Sequence, residues 1–310
     1  MRVFVAGGTG VIGRRLVPQL VARGHQVTAT TTSAGKLGVL QDLGAEGVVM
    51  DGLDGVAVGE AVAKARPDAI MNEMTAISPV HAGKPNFRRI DRYFAITNRL
   101  RTEGTDHLLA AAEAAGVTNV VAQSFGSFNG IREGGWVKTE EDPLDLHEGT
   151  PQNPVSESIQ YLENATLDAG GSVLRYGAFY GPGATDDQVE LVRKRMFPLI
   201  GRAEGHCSWV HLDDAAGATV LAVEQQAKGL FNISDDDPAP ASEWLPYLAA
   251  CAGAKPPMRI PTWLARLVAG PTPVIMMTEG RGFSNAKAKR ELGWELRYPS
   301  WRQGFEKEFA

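Results

Sequence analysis

The chain is poor in cysteine, with only Cys207 and Cys251 among 310 residues. Two cysteines build no disulfide framework, and no Cys/His group has metal-ligand spacing. Both are read as small apolar side chains, and no metal site is expected. No apolar run approaches the roughly 18 residues of a membrane span. No one sign of charge dominates: 31 Lys and Arg stand against 36 Asp and Glu, a net charge of −5. That mixture argues against a nucleic-acid surface. Repeats and low-complexity tracts are absent. The first residues lead straight into an apolar run, which leaves no room for a signal peptide, so a cytoplasmic protein is expected. At 44% hydrophobic, the chain can bury a full core with a small second lobe.

What is present is concentrated at the start. Residues 2–6 read Arg-Val-Phe-Val-Ala, a strand composition. Gly7-Gly8-Thr9-Gly10-Val11-Ile12-Gly13 follows, then the helix-like Arg14-Arg15-Leu16-Val17. Glycines at 7, 10 and 13 allow a tight turn, close approach of a pyrophosphate, and packing of the new helix on the sheet. N–H groups at the helix start, about Val11 and Ile12, then face phosphate. The strand–turn–helix context points to a bound dinucleotide.

A further absence selects the dinucleotide. Sites for NAD usually place an acid about 20 residues on, bonded to the ribose 2′-hydroxyl. Here no Asp or Glu occurs before Asp42. Arg14, Arg15, Thr31, Ser33 and Lys36 are present instead. A carboxylate would repel a 2′-phosphate and these groups would hold one, so NADP(H) is expected over NAD(H).

Strand and helix patterns alternate through the first half. Strands are expected at 2–6, 26–30, 46–50, 68–72, 118–123 and 172–176, and helices at 12–23, 34–43, 54–65, 91–115 and 154–168. Alternation with right-handed crossovers predicts an α/β fold, a Rossmann-type doubly wound parallel sheet. Pro18 should kink or weaken the first helix. Residues 1–177, completed by about 209–238, form the expected dinucleotide domain. Residues 178–208, an inserted helix and loop, and 239–310 form a small C-terminal substrate lobe.

Together these residues resemble the extended short-chain dehydrogenase/reductases, the NAD(P)-dependent epimerase/dehydratase group. The likeness covers nearly the whole chain. Its carriers are the glycine turn, Asp51 after the third strand, and Asn98 with Gly104-Thr105-Asp106-His107-Leu108-Leu109. Ser124, the run Arg175-Tyr176-Gly177-Ala178-Phe179-Tyr180-Gly181-Pro182-Gly183, Val210-His211-Leu212-Asp213-Asp214 and Ala288-Lys289-Arg290-Glu291-Leu292-Gly293-Trp294 complete it. The resemblance implies that Asp51 meets the adenine and Ser124 lies beside the nicotinamide. It places residues 180–183 against nicotinamide and substrate. It also implies a homodimer through helices 91–115 and 154–168. The alternative for the first of these helices, with Arg92, Arg99, Arg101 and Glu103, is a charged face in solvent.

The family's reaction uses a Tyr and, four residues later, a Lys on the helix after the fifth strand. That spacing puts both on one face. The ammonium lowers the phenol's pKa, and the phenol moves a proton as hydride moves. Aligned on Pro154, these positions hold Val155 and Ile159, both apolar. After the fourth strand, where the family often has His-x-Ala-Ala, the chain has Asn72-Glu73-Met74-Thr75. The candidate replacements are Ser124, Tyr180 and Glu73. A slip of one residue would set Phe125 in the place of Ser124, and Ser127 is a second choice. Glu157 and Tyr161 share a helix face. His211 is a structural or acid/base group beside Asp213, the expected helix N-cap, and His147 is expected in solvent. The reading is an NADP(H)-dependent oxidoreductase acting on a small carbonyl-type metabolite with its relay replaced. The alternatives are a nucleotide-sugar-type epimerase/dehydratase, or a redox sensor that binds NADP(H) without turnover.

Overall fold

The computed structural model describes residues 1–77, 87–126 and 130–309. Seven parallel strands make the central sheet. In chain order these are β1 (Arg2–Ala6), β2 (Gln26–Thr31), β3 (Glu46–Val49), β4 (Ala69–Asn72), β5 (Val120–Phe125) and β6 (Ser172–Tyr176). After them come a short β7 (Ala178–Tyr180), β8 (Trp209–His211) and β9 (Gly229–Ile233). The sheet order is β9-β6-β5-β4-β1-β2-β3, and β7 and β8 pair only with each other. The order reverses between β1 and β4, which leaves a crevice at their carboxyl ends. Gly7 and Glu73 stand at that crevice, joined by the Glu73 N–H donating to the Ala6 carbonyl at 2.9 Å.

The helices follow from their apolar spacing. Gly13–Ala22 (α1) buries Leu16, Val17 and Leu20, the i, i+1, i+4 stripe of a packed helix. It runs through Pro18 unbroken; only the bond that a Pro18 N–H would make is forgone. Leu37–Asp42 (α2) and Gly55–Ala65 (α3) follow, the latter capped by Asp54, which accepts from the N–H groups of Val56 and Ala57.

The expected helix at 91–115 is three pieces: α4 (Ile90–Tyr93), α5 (Ala95–Arg101) and α6 (Glu103–Ala114). The second break falls at Thr102, whose hydroxyl donates back to the Asn98 carbonyl at 3.1 Å. That side-chain bond competes with the helix ladder. Asn153–Asp168 (α7) carries Pro154 in its first turn, where proline costs no backbone bond. Asp186–Arg193 (α8) and Leu212–Glu224 (α9) complete the helices used below.

Two apolar layers sandwich the sheet. Val3, Val5, Met71, Leu174 and Tyr176 meet α1 and α9 on one face. Phe4, Ile70, Val62 and Leu108 meet on the other, with α3 and α6. A separate cluster around Trp209, Trp244, Trp301, Phe305 and Leu248 forms the second lobe. Two buried acids tie residues 297–301 onto the sheet half. Asp214 accepts from the N–H groups of Arg297 and Tyr298 at 2.9 and 3.0 Å. Asp235 accepts from Trp301 N–H at 2.6 Å.

Candidate active site

The glycine turn is built for a phosphate. Gly7 has φ +101°, and a Cβ there would meet the Glu73 carbonyl oxygen at 2.6 Å. A Cβ on Gly13 would meet backbone of Gly7 and Gly8 at 2.6 Å. The Gly10 N–H donates to the Gly7 carbonyl at 3.0 Å and closes the turn. No side chain caps α1 and no acid lies in its first turn, so its positive end is open to an anion. Thr30, which the sequence pattern left as a strand residue, accepts from the Gly7 N–H at 3.0 Å. It holds the turn against β2.

Several expected cofactor groups converge. The Thr9 hydroxyl donates to Thr31 Oγ1 at 3.3 Å, and the Ser33 N–H donates to the same oxygen at 3.3 Å. Arg14 Nε donates to the Thr9 carbonyl at 3.1 Å, which lays its guanidinium along the turn. Lys36 is exposed beside Ser33. Asp51 folds onto its own loop, accepting from the Leu53 N–H. Arg15 goes elsewhere: its Nε lies 3.7 Å from Asp213 Oδ1 on α9. The uncapped helix, the cradle and the acid-free end of β2 fit a dinucleotide.

Glu73 sits at the sheet's switch point and is buried. Its Oε1 accepts from the Tyr176 hydroxyl at 3.2 Å, and that hydroxyl lies 2.5 Å from Thr219 Oγ1. Oε2 has no partner. Burial pushes the carboxyl up to about 8, against the opposing pull of the Tyr176 hydrogen bond. Glu73 therefore keeps its proton at neutral pH.

The positions that the sequence aligns with the family's Tyr and Lys lie on the opposite face of the sheet. Val155 and Ile159 are buried with Leu144, and Phe94 and Phe125 pack against them. Ser124 is engaged one helical turn further along. Its hydroxyl donates to Glu163 Oε1 at 2.6 Å. Arg175, the register partner of Ser124 on β6, grips both oxygens of Glu163 through Nε and Nη2 at 2.7 and 2.5 Å. The β5 residue that packs on Val155 and Ile159 is thus Phe125, and the Ser124 hydroxyl is engaged by Glu163. Sequence reasoning missed the Glu163–Arg175 pair. The available signal was that Glu163 falls one turn beyond Ile159 on the same face.

The other candidates fall as follows. Tyr180 belongs to the core of the second lobe. Its ring is fully buried in the second lobe against Trp209, His211 and Phe305, because β7 pairs with β8 and not with the sheet. Its hydroxyl has no partner among the described residues. His211 is the N-cap of α9, its Nδ1 accepting from the Asp213 N–H at 3.1 Å; the cap is the imidazole and not the aspartate. His147 is buried, with Nδ1 2.7 Å from the Asp145 carbonyl, and is not solvated. Glu157 is exposed and accepts from Asn153. The Tyr161 hydroxyl donates to Asp106 on the outer surface. Ser127 lies outside the described residues. Among the described residues no group of three His, Cys, Asp or Glu side chains can hold a metal. No helix there is long and apolar enough to cross a membrane.

Comparison with known proteins agrees with this layout. The family model of the NAD dependent epimerase/dehydratase family matches residues 3–234. A 3-diazoavenalumate denitrifying reductase from a Streptomyces species is 41% identical over 99% of this chain and 100% of its own. A 2-alkyl-3-oxoalkanoate reductase from Stenotrophomonas maltophilia is 29% identical over 82% of this chain and 76% of its own. Among solved structures, human epimerase family protein SDR39U1 with NADPH shares the fold, with TM-score 0.74 and 22% identity over 99% of each chain. The chain belongs to the NAD dependent epimerase/dehydratase family and is an NAD(P)-dependent enzyme of the oxidoreductase type.

Proposed function

We propose that the protein is an NADP(H)-dependent reductase whose hydride acceptor needs no proton from the protein, and that the acceptor is an aryl diazonium group. The carrying observation is the apolar cluster of Val155, Ile159 and Phe125 where the family's proton relay belongs. A carbonyl that takes hydride becomes an alkoxide and needs an acid. A diazonium does not. Its C–N bond breaks, dinitrogen leaves with the bonding pair, and the hydride pair forms the new C–H bond. Atoms and charge balance with no proton moved.

When bound, the reduced nucleotide supplies the hydride. The protein's own residues do the rest. Gly7, Gly10, Gly13 and the open end of α1 hold the pyrophosphate. Arg14, Thr31, Ser33 and Lys36, with no acid at the end of β2, favour a 2′-phosphate. The apolar wall excludes water, which would otherwise capture the same carbon as a phenol. The 41%-identical relative is, by its printed name, a denitrifying reductase of a diazo compound, and it supports this reading. Both reductase relatives named above act on carboxylates.

Reduction of a carbonyl is the second reading. Glu73 favours it, being a carboxyl kept protonated at the switch point. One labelling experiment separates the two. The protein is given 4-deuterated NADPH or NADH with benzenediazonium or with a panel of ketones. The expected result is deuterobenzene and dinitrogen, with NADPH preferred by about tenfold. Deuterium found only on a carbinol carbon would replace the first reading by the second. No transfer to any acceptor from a tightly bound nucleotide would favour the sensor.

A further inference from the structure

Arg101 is a buried cation without an acid of its own. It stands at the end of α5 and is 8% exposed. Its guanidinium lies over the Phe94 ring, 5.7 Å from the centroid. Among the described residues its one side-chain hydrogen bond runs from Nη1 to Asn98 Oδ1 at 3.4 Å. The carboxylate whose charge acts on it is Glu163. Both oxygens of Glu163 are already taken by Arg175, and one also by Ser124. Arg175 Nη1 is itself buried without a partner among the described residues. The cluster therefore holds two guanidinium groups and one carboxylate, an uncompensated positive charge. Burial lowers the Arg101 pKa to about 10, so the group stays charged at neutral pH.

Leaving a charge unpaired in an apolar setting is costly. An arginine's long stem usually lets its head reach water. The Arg101 head rests on Phe94, and Phe94 belongs to the cluster of Val155, Ile159 and Phe125. Phe94 and Phe125 are only partly buried, so the edge of this cluster is open. The positive charge thus borders the wall where the relay is missing. A planar guanidinium there suits a carboxylate, which it can meet through two parallel N–H bonds.

We propose that Arg101 anchors a carboxylate of the substrate, so that the enzyme takes aromatic acids and discriminates against their neutral analogues. This rests on the reading that reduction occurs at the Val155–Ile159 wall. Binding of the anion would also compensate the charge that the folded protein carries alone.

Calorimetric titration of benzoate and of benzamide into the protein, with and without NADP+, tests the anchor without turnover. Benzoate should bind at least about tenfold more tightly than benzamide. Arg101→Met should abolish that preference, and Arg101→Lys should retain part of it. Equal binding of the two probes by the unaltered protein would overturn the proposal, whether or not Arg101→Met folds. So would an unchanged preference in folded Arg101→Met. Turnover gives a second readout: 3-carboxybenzenediazonium should show a lower KM than benzenediazonium, and Arg101→Met should raise that KM more than it lowers kcat. If benzoate is preferred through Arg101 but no diazonium is consumed, the anchor stands and the reduction reading falls. If both diazonium salts react alike and benzoate binds no better than benzamide, the anchor falls and the reduction reading stands.

Discussion

Glu73 and Glu163 are equally buried, at 4% and 3% exposure, on opposite faces of one sheet, and their surroundings treat them differently. Glu163 is gripped by the Arg175 guanidinium and by Ser124. Glu73 has one phenol for company and one oxygen with no partner. The first is an ion pair that joins α7 to β6. The second is a neutral acid at the nucleotide crevice. Burial alone decides little about a carboxyl; the partner decides whether it holds charge or a proton. The Glu163 carboxylate is committed to structure, and the available proton lies across the sheet.

The largest expected effect breaks the ion pair. Glu163→Gln leaves the Arg175 guanidinium buried without its acid, which should cost about 3–5 kcal/mol, read from urea unfolding. The double change Glu163→Gln with Arg175→Met should recover much of that loss. A single variant within about 1 kcal/mol of the unaltered protein would mean that the pair contributes little net stability.

The next effect depends on pH. Glu73 has a folded-state pKa of about 8 against an ordinary 4.5. Between those values the native state keeps a proton that the unfolded chain has released. Stability should therefore fall as pH rises from about 4.5 to about 8 and level off above. Glu73→Gln should flatten that slope, and Glu163→Gln should not. An unchanged slope in Glu73→Gln would assign the proton to another group.

The smallest effect belongs to Tyr180→Phe. It removes a buried hydroxyl that has no partner, so stability should shift by no more than about 1 kcal/mol, with gain as plausible as loss. Turnover should be untouched. A tenfold or greater loss of rate would put Tyr180 at the reacting atoms, against its place in the second lobe.

The sheet and the glycine turn were legible because their signals are local. Gly7, Gly10 and Gly13 stand at a spacing that one turn requires, and each strand is a short apolar run. The apolar pairing of Val155 and Ile159 was legible for the same reason, since it is read by spacing alone. What escaped depends on contacts distant in sequence. Thr30 holds the Gly7 N–H across 23 residues. Tyr180 lies at a strand end, but only the pairing of β7 with β8 turns its ring into the second lobe. Thr102 breaks a helix whose apolar period continues through it. Arg101 belongs to a charged stretch that suggests solvent, and only its packing on Phe94 shows that it is buried.

The ties made by Asp214 and Asp235 carry a consequence for how the chain is made. Asp235 follows β9 at the sheet's edge, yet the N–H it accepts from, at Trp301, comes 66 residues later. Asp214 waits 83 residues for Arg297. During synthesis, β9 and α9 leave the ribosome while both acids still lack these donors. Until residues 297–301 arrive, water must solvate the two carboxyls, and the sheet's last strand stays unsealed at that edge. Nucleotide recognition is encoded at residues 7–13, but the domain that presents it closes only once residues 297–301 have been made.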